Sequence, residues 1–186
     1  MKTIVAITGA SGVIYGIKLL EKLRKLVKDA EIHLIISDAA KEIINFETNY
    51  TLNEIEKQAT KVYSNKEISA TLASGSFRHD GMVIVPCSLK TLSAIANGYT
   101  DTLISRAAIC SLKENMKLII VPRETPVDKT SLTNMVKIKE NGAIILPAMP
   151  AFYYKPKNLS ELVDYIVGKI LDQLDIKHDL FKRWKK

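Results

Sequence analysis

The sequence predicts an α/β fold: one domain built on a doubly wound parallel sheet. Three observations carry that prediction. Short β-branched runs alternate with longer segments whose apolar residues recur at helical spacing. A glycine-rich turn follows the first run directly, and loops of small and polar residues follow most of the others. Such alternation builds a parallel sheet covered by helices on both faces. At 186 residues the chain suits a single domain with a sizeable core. Flavodoxin-like and Rossmann-like arrangements are the doubly wound forms it points to.

The elements follow in order. Lys2 to Thr8 reads as a central strand, and Val13 to Val27 as a helix with Ile14, Ile17, Leu20, Leu23 and Val27 on one face. Glu31 to Ile36 is the second strand; a helix over Asp38 to Phe46 follows, with Ser37 or Asp38 as its N-cap. Residues 47–80 are the least regular, with a short helix at Leu52 to Gln58, a strand near Val62-Tyr63 and a polar loop from Ala73 to Asp80. Regularity returns with a strand at Gly81 to Pro86 and helices at Leu89 to Ala96 and Asp101 to Lys113. A strand at Lys117 to Val121 precedes a helix at Leu132 to Glu140, closed by Asn141-Gly142. A strand at Ala143 to Leu146 and a long helix at Leu159 to Leu174 complete the pattern.

Composition narrows the function classes. The hydrophobic fraction of 47% is that of a globular protein. No apolar run approaches the roughly 20 residues that cross a bilayer. Gly9, Ser11 and Gly12 interrupt the N-terminal apolar stretch before a signal-peptide core is complete, so a cytoplasmic protein without membrane association is expected. Cys87 and Cys110 form neither a metal spacing nor a disulfide framework, and read as small buried residues. A net charge of +7, from 27 basic and 20 acidic residues, favours anionic partners. The basic residues are scattered, apart from the tail Lys182-Arg183-Trp184-Lys185-Lys186, and no nucleic-acid-binding module is recognisable. Phosphorylated metabolites therefore suit the charge better than nucleic acid.

In an open parallel sheet, ligands bind beyond the carboxyl ends of the strands, so residues just after each strand matter most. After the first comes Gly9-Ala10-Ser11-Gly12, where glycines admit an anion to the backbone and the next helix offers unpaired N–H groups. Ser37 follows the second strand, and Cys87-Ser88-Leu89-Lys90-Thr91 follows the strand at Gly81 to Pro86. Pro122-Arg123-Glu124-Thr125-Pro126 joins a cation suited to bidentate phosphate recognition to a carboxylate suited to proton transfer. Pro147 to Tyr154 is a proline-bounded aromatic segment, able to cover a planar ligand or line a subunit contact. Each feature alone has an ordinary structural explanation. Their coincidence at one sheet edge points to a planar, phosphorylated ligand.

These residues also carry a resemblance. Gly9-Ala10-Ser11-Gly12 with Tyr15-Gly16, Glu47-Thr48, Ser74-Gly75-Ser76-Phe77, Pro86-Cys87-Ser88-Leu89-Lys90-Thr91-Leu92 and Arg106-Ala107-Ala108 stand in a characteristic order. Leu112-Lys113-Glu114, Pro122 to Pro126, Asn134-Met135, Gly142-Ala143 and Pro150 to Tyr153 continue it. In this order the chain resembles the UbiX-like flavin prenyltransferases over nearly its whole length, Lys2 to Trp184.

What the resemblance implies is one FMN-binding domain over residues 1–186 with a C-terminal tail helix. It implies an enzyme that moves a dimethylallyl group from dimethylallyl phosphate to N5 and C6 of reduced FMN, without a metal. The product, prenylated FMN, would serve a UbiD-type decarboxylase, and the enzyme would assemble as a dodecamer with its active site at a subunit junction. By position, Gly9, Ala10, Ser11, Ser37, Ser88, Leu89, Lys90, Thr91 and Arg123 would contact FMN. Arg106, Arg123, Tyr153 and Lys169 would hold the dimethylallyl phosphate, and Trp184 would bring the tail toward it. Of the implied catalytic set Ser11, Glu47, Lys113 and Glu124, Lys113 and Glu124 would stand close to the reacting groups and Glu47 beside the flavin or phosphate, with Ser11 and Glu124 handling protons. Lys169 stands where many relatives carry Arg, exchanging a forked grip for a point charge. The nearest alternative is a flavin-dependent cysteine decarboxylase. Those enzymes carry an early catalytic His and a Pro-Ala-Ser-Ala-Asn-Thr segment, whereas this chain has Pro-Cys-Ser-Leu-Lys-Thr and places His33 within a strand.

Overall fold

The computed structural model describes residues 1–185; Lys186, the last residue of the basic tail, lies outside the described residues. The β-branched runs form six parallel strands: β1 (Lys2–Ile7), β2 (Glu31–Ile36), β3 (Lys61–Ser64), β4 (Gly81–Cys87), β5 (Leu118–Pro122) and β6 (Ile144–Ile145). Their spatial order is β3-β2-β1-β4-β5-β6. Read without the four-residue edge strand β3, this is the flavodoxin-like order; with it, the Rossmann-like one.

Side chains alternate across the sheet, and both faces are covered. Val5 and Ile7 of β1, with Val83 and Val85 of β4, face a core closed by α1 (Val13–Leu26), α2 (Asp38–Glu47) and α7 (Leu159–Gln173). Ile4 and Ala6, with Met82 and Ile84, face the opposite core beneath α4 (Leu89–Ala96), α5 (Leu103–Lys113) and α6 (Lys129–Glu140). Every residue of β4 and β5 is buried, as strands covered on both sides require. Gly16 lets α1 lie directly on the sheet: a Cβ there would fall 2.5 Å from the Val85 carbonyl oxygen and 2.8 Å from Ile7 Cγ1.

Several boundaries move by one or more residues from the sequence-based expectation, and three of them have a clear local reason. Helix α6 begins at Lys129 and not Leu132, so Lys129 and Thr130 belong to a helix. The Asp128 carboxylate caps it, accepting from the N–H groups of Thr130 (2.8 Å) and Ser131 (3.1 Å). Helix α5 begins at Leu103 because Thr102 and Ser105 form a reciprocal capping box. The edge strand β6 keeps only two ladder residues, while Leu146 and Ala148 still donate to the carbonyls of Ile120 and Pro122. Within the irregular stretch, α3 (Leu52–Glu56) is started by a Thr51–Glu54 capping box.

One half-buried group makes stability depend on pH. The half-buried ring of His79 meets Ser111 Oγ at 3.0 Å, and burial pushes its pKa down to about 4, against the opposing pull of Asp80. The unfolded chain therefore binds more protons than the folded one between the ordinary histidine pKa and about 4. Stability present above that ordinary value is lost as pH falls toward 4, by on the order of 1 kcal/mol between neutrality and pH 5 after allowance for solvent screening. Thermal unfolding of the wild type and His79→Gln across this range checks it: the variant's melting temperature is expected to fall less steeply. Parallel profiles would show that His79 is not the source.

Candidate functional site

Strand order reverses between β1 and β4, and the loops after these strands part to opposite sides there. The crevice they leave is a cleft of about 570 Å³, the size of a cofactor site. Gly9, Ala10 and Ser11 line it after β1, Ser37 after β2, Ser88, Leu89, Lys90 and Thr91 after β4, and Arg123 and Glu124 after β5. All nine residues expected to contact FMN share this cleft, together with Ser11 and Glu124 of the expected catalytic set.

Hydrogen bonds tie the loops into one rim. Thr8 Oγ1 donates to the Pro86 carbonyl at 2.8 Å and accepts from Ser88 N–H at 2.7 Å, joining the turns after β1 and β4. Arg123 Nε donates to the Ser11 carbonyl at 3.1 Å, joining the loop after β5 to the same turn. Gly9 brings the turn against α2: a Cβ on it would lie 2.6 Å from that of Ala39. Gly12 is left-handed at φ 97°, where a side chain would be strained and would also strike Tyr15. Tyr15 is itself pushed up in pKa by burial, against the pull of Arg123.

Three helix N-termini meet at this rim. Ser37 caps α2 by accepting from Ala40 N–H (3.2 Å), and Ser88 caps α4 by accepting from Thr91 N–H (3.3 Å). The third belongs to α5, where Asn65 Oδ1 accepts from Ile104 N–H at 3.1 Å. Asn65, Lys66, Asp101, Thr102 and Ser105 all line the cleft, and the sequence reading did not include them. The Thr102–Ser105 capping box was a usable signal, since it marks a helix start at the same sheet edge; nothing in the sequence marked Asn65. Lys66 pairs with Asp38 at 3.0 Å and holds its carboxyl below the usual carboxylate range. The helix dipoles, Lys66, Lys90 and Arg123 favour an anionic ligand, while Ser and Thr hydroxyls suit the polar edge of a planar ring. This donor set fits a flavin mononucleotide.

The glycine-rich turn itself is a correction to the simple anion-cradle reading. The N–H groups of Gly12 and Val13 donate to Glu47 Oε2 at 2.8 and 3.3 Å. A carboxylate from the end of α2 thus already occupies the start of α1, and Glu47 does not line the cleft of its own chain. Anion-binding capacity is shifted to the α2, α4 and α5 termini and the three cations.

The remaining expected residues lie elsewhere on the single chain. Arg106 is exposed on α5, its Nε 3.4 Å from the Ala73 carbonyl. Lys113, at the end of that helix, is exposed and pairs with Glu114 at 3.4 Å. Tyr153 and Trp184 meet edge to face, centroids 5.2 Å apart, in a second hollow of about 370 Å³ that Lys155, Lys182 and Arg183 also line. Burial raises the pKa of Tyr153. Lys169 projects from α7 and pairs with Asp172 at 3.4 Å. The Arg183 guanidinium holds the Asp172 carboxyl down at about 2.

Both cysteines are free and buried, as expected; burial pushes the Cys87 thiol far up, leaving it a packing group. Among the described residues no three His, Cys, Asp or Glu side chains gather as a metal site needs. No helix among them is long and apolar enough to cross a membrane.

Known proteins share this sequence pattern and fold. The Flavoprotein family matches residues 1–178. A flavin prenyltransferase UbiX from Methanocaldococcus jannaschii is 53% identical over 184 residues, covering 99% of this chain and 98% of that protein. The crystal structure of AnUbiX (PadA1) in complex with FMN and dimethylallyl pyrophosphate superposes with a TM-score of 0.96 at 43% identity, covering 100% of this chain and 97% of the other. A dodecameric FMN-dependent Ubix-like decarboxylase from Escherichia coli O157:H7 gives 0.97 at 41% identity, with both chains covered completely. The peptidyl-cysteine decarboxylase EpiD shares the fold alone, at 19% identity and a TM-score of 0.63.

Proposed function

Because this chain belongs to the UbiX family of flavin prenyltransferases, we propose that it moves a dimethylallyl group from dimethylallyl phosphate onto N5 and C6 of reduced FMN. The observation that carries this reading is the shared cleft, in which four strand-end loops bring the FMN-contacting set together with Arg123 and Glu124. Bound reduced FMN supplies the electron-rich N5 and C6. In the balanced reaction the allylic C–O bond breaks with its electron pair on the phosphate as N5 gains the primary prenyl carbon and gives its proton up to that phosphate. Protonation of the remaining C=C would then let C6 bond the tertiary carbon and return one proton. No net oxidation occurs.

The chain's own residues meet each demand. Arg123, oriented by its bond to the Ser11 carbonyl, stabilises charge growing on the leaving phosphate. Ser11 and Glu124, at the same rim, receive and return protons. The aromatic group around Tyr153 and Trp184 offers electron-rich faces to an allylic cation. Arg106, Lys113, Tyr153, Lys169 and Trp184 lie outside the cleft of one chain, so we infer that adjoining copies supply them in a dodecamer. The whole chain then acts as one FMN-binding domain in the cytoplasm, handing prenylated FMN to a UbiD-type decarboxylase.

The test is an anaerobic incubation of purified protein with reduced FMN and dimethylallyl phosphate, without added metal. Release of inorganic phosphate that depends on the reduced flavin is expected. The diphosphate run in parallel reports the donor preference. Binding of FMN without any phosphate release would refute the proposal.

A further inference from the structure

Asp172, near the end of α7, is the most heavily engaged carboxylate outside the FMN cleft. Its two oxygens accept the Arg183 fork, Nη1 and Nη2 each at 2.6 Å. Oδ1 also meets His178 Nε2 at 3.1 Å, and Oδ2 lies 3.4 Å from Lys169 Nζ. One group on α7 therefore gathers two residues of the C-terminal segment and the lysine expected to face the phosphate. That segment lies directly on the helix, because a Cβ on Gly168 would fall 2.6 Å from Phe181 and 2.7 Å from His178. The Arg183 guanidinium stacks over Phe181 at 4.6 Å, and Phe181 packs against Tyr165. The next residue, Trp184, stands against Tyr153.

An exposed ion pair would contribute little here, but this one is forked, partly shielded and joined to packed aromatics. The segment 175–185 has no regular helix or strand of its own to fix Trp184. Its position depends on the contacts made by His178, Phe181 and Arg183. Two of these three end on Asp172.

We propose that Asp172 is a positioning residue: its carboxylate clasps the C-terminal segment through Arg183, so that Trp184 closes on Tyr153, and holds Lys169 beside that pair. The clasp is a property of the chain itself; its consequence for the prenyl donor rests on the prenyltransferase reading. With the clasp made, the aromatic wall and the lysine are set before the donor arrives, and donor binding need not order the segment.

Trp184 is the only tryptophan in the chain, so its fluorescence reports the segment directly. In Asp172→Asn, which keeps the side-chain shape, Trp184 emission is expected to lose anisotropy and become more open to acrylamide quenching, in flavin-free protein and at unchanged FMN affinity. The Michaelis constant for dimethylallyl phosphate should rise about tenfold with a smaller change in kcat, and Asp172→Glu should recover part of it. Arg183→Met removes the same clasp without altering α7 and should reproduce the fluorescence change, which keeps the test decisive if an Asp172 variant folds poorly. Wild-type anisotropy and quenching in both Asp172→Asn and Arg183→Met would overturn the proposal. Absence of prenyl transfer by the wild type would instead refute the functional reading, and the fluorescence would still decide the clasp.

Discussion

Replacing Arg123 with Ala should lower turnover by about 10²–10³-fold, the loss typical of removing one preorganised donor from developing negative charge. Arg123 is suited to this because its Nε is committed to the Ser11 carbonyl at 3.1 Å, which fixes the plane of the guanidinium at the cleft rim. Its other N–H donors are left for a ligand. The bond also runs from the loop after β5 to the turn after β1, so the substitution also loosens Ser11, to which we assign proton handling. Lysine should rescue poorly, since a point charge cannot donate to the Ser11 carbonyl and grip a phosphate in the same plane. Single-turnover phosphate release, measured at saturating FMN, separates this effect from cofactor loss. Full activity in Arg123→Ala would remove Arg123 from the reaction.

The second large effect is on the fold. Gly16→Ala places a methyl 2.5 Å from the Val85 carbonyl oxygen and 2.8 Å from Ile7, both on the central strands. Alanine gains about 1 kcal/mol of helix propensity at an interior position. Overpacking against backbone commonly costs ~1–3 kcal/mol and more where nothing can yield. Here neither neighbour can yield, because β1 and β4 pair with each other and are buried on both faces. The expected net loss is about 2 kcal/mol, or roughly 4–8 °C in melting temperature for a chain of this size. FMN affinity should fall with it, since α1 carries the Gly9 to Gly12 turn at its start. A variant as stable as the wild type would show that α1 is not seated as closely as Gly16 allows.

How far residues can be read before the fold is known depends on where their partners lie. Strand β4 and helix α4 were legible because strand and helix periodicity meet at Ser88, a cap whose hydroxyl acts three residues along its own chain. Helix α2 was legible for the same reason through Ser37. Helix α6 was read three residues short because its apolar pattern begins after its polar first turn, and Asp128 stands behind a proline-bounded loop. Edge strand β6 was overestimated, since its apolar residues satisfy packing without continuing the ladder.

The site divides similarly. Loop residues immediately after central strands were found because sheet topology alone sends them to one edge. Asn65, Lys66 and Asp101 were not, because they enter from the irregular stretch and from a helix approach with no distinguishing motif. Glu47 was read as a group beside the flavin or its phosphate, yet its carboxylate holds the start of α1 from 35 residues away. No local pattern predicts that pairing. Arg106, Lys113 and Lys169 project from helices outside the single-chain cleft, so this fold alone does not bring them to it, and the roles we propose for them rest on the proposed assembly.

The measurement that bears most directly on the account is the mass of the flavin recovered after anaerobic reaction with dimethylallyl phosphate. The expected product is FMN heavier by one five-carbon prenyl unit, formed in step with one phosphate released. Phosphate released while the flavin is recovered with its mass unchanged would mean that the donor is merely hydrolysed, and would contradict prenyl transfer.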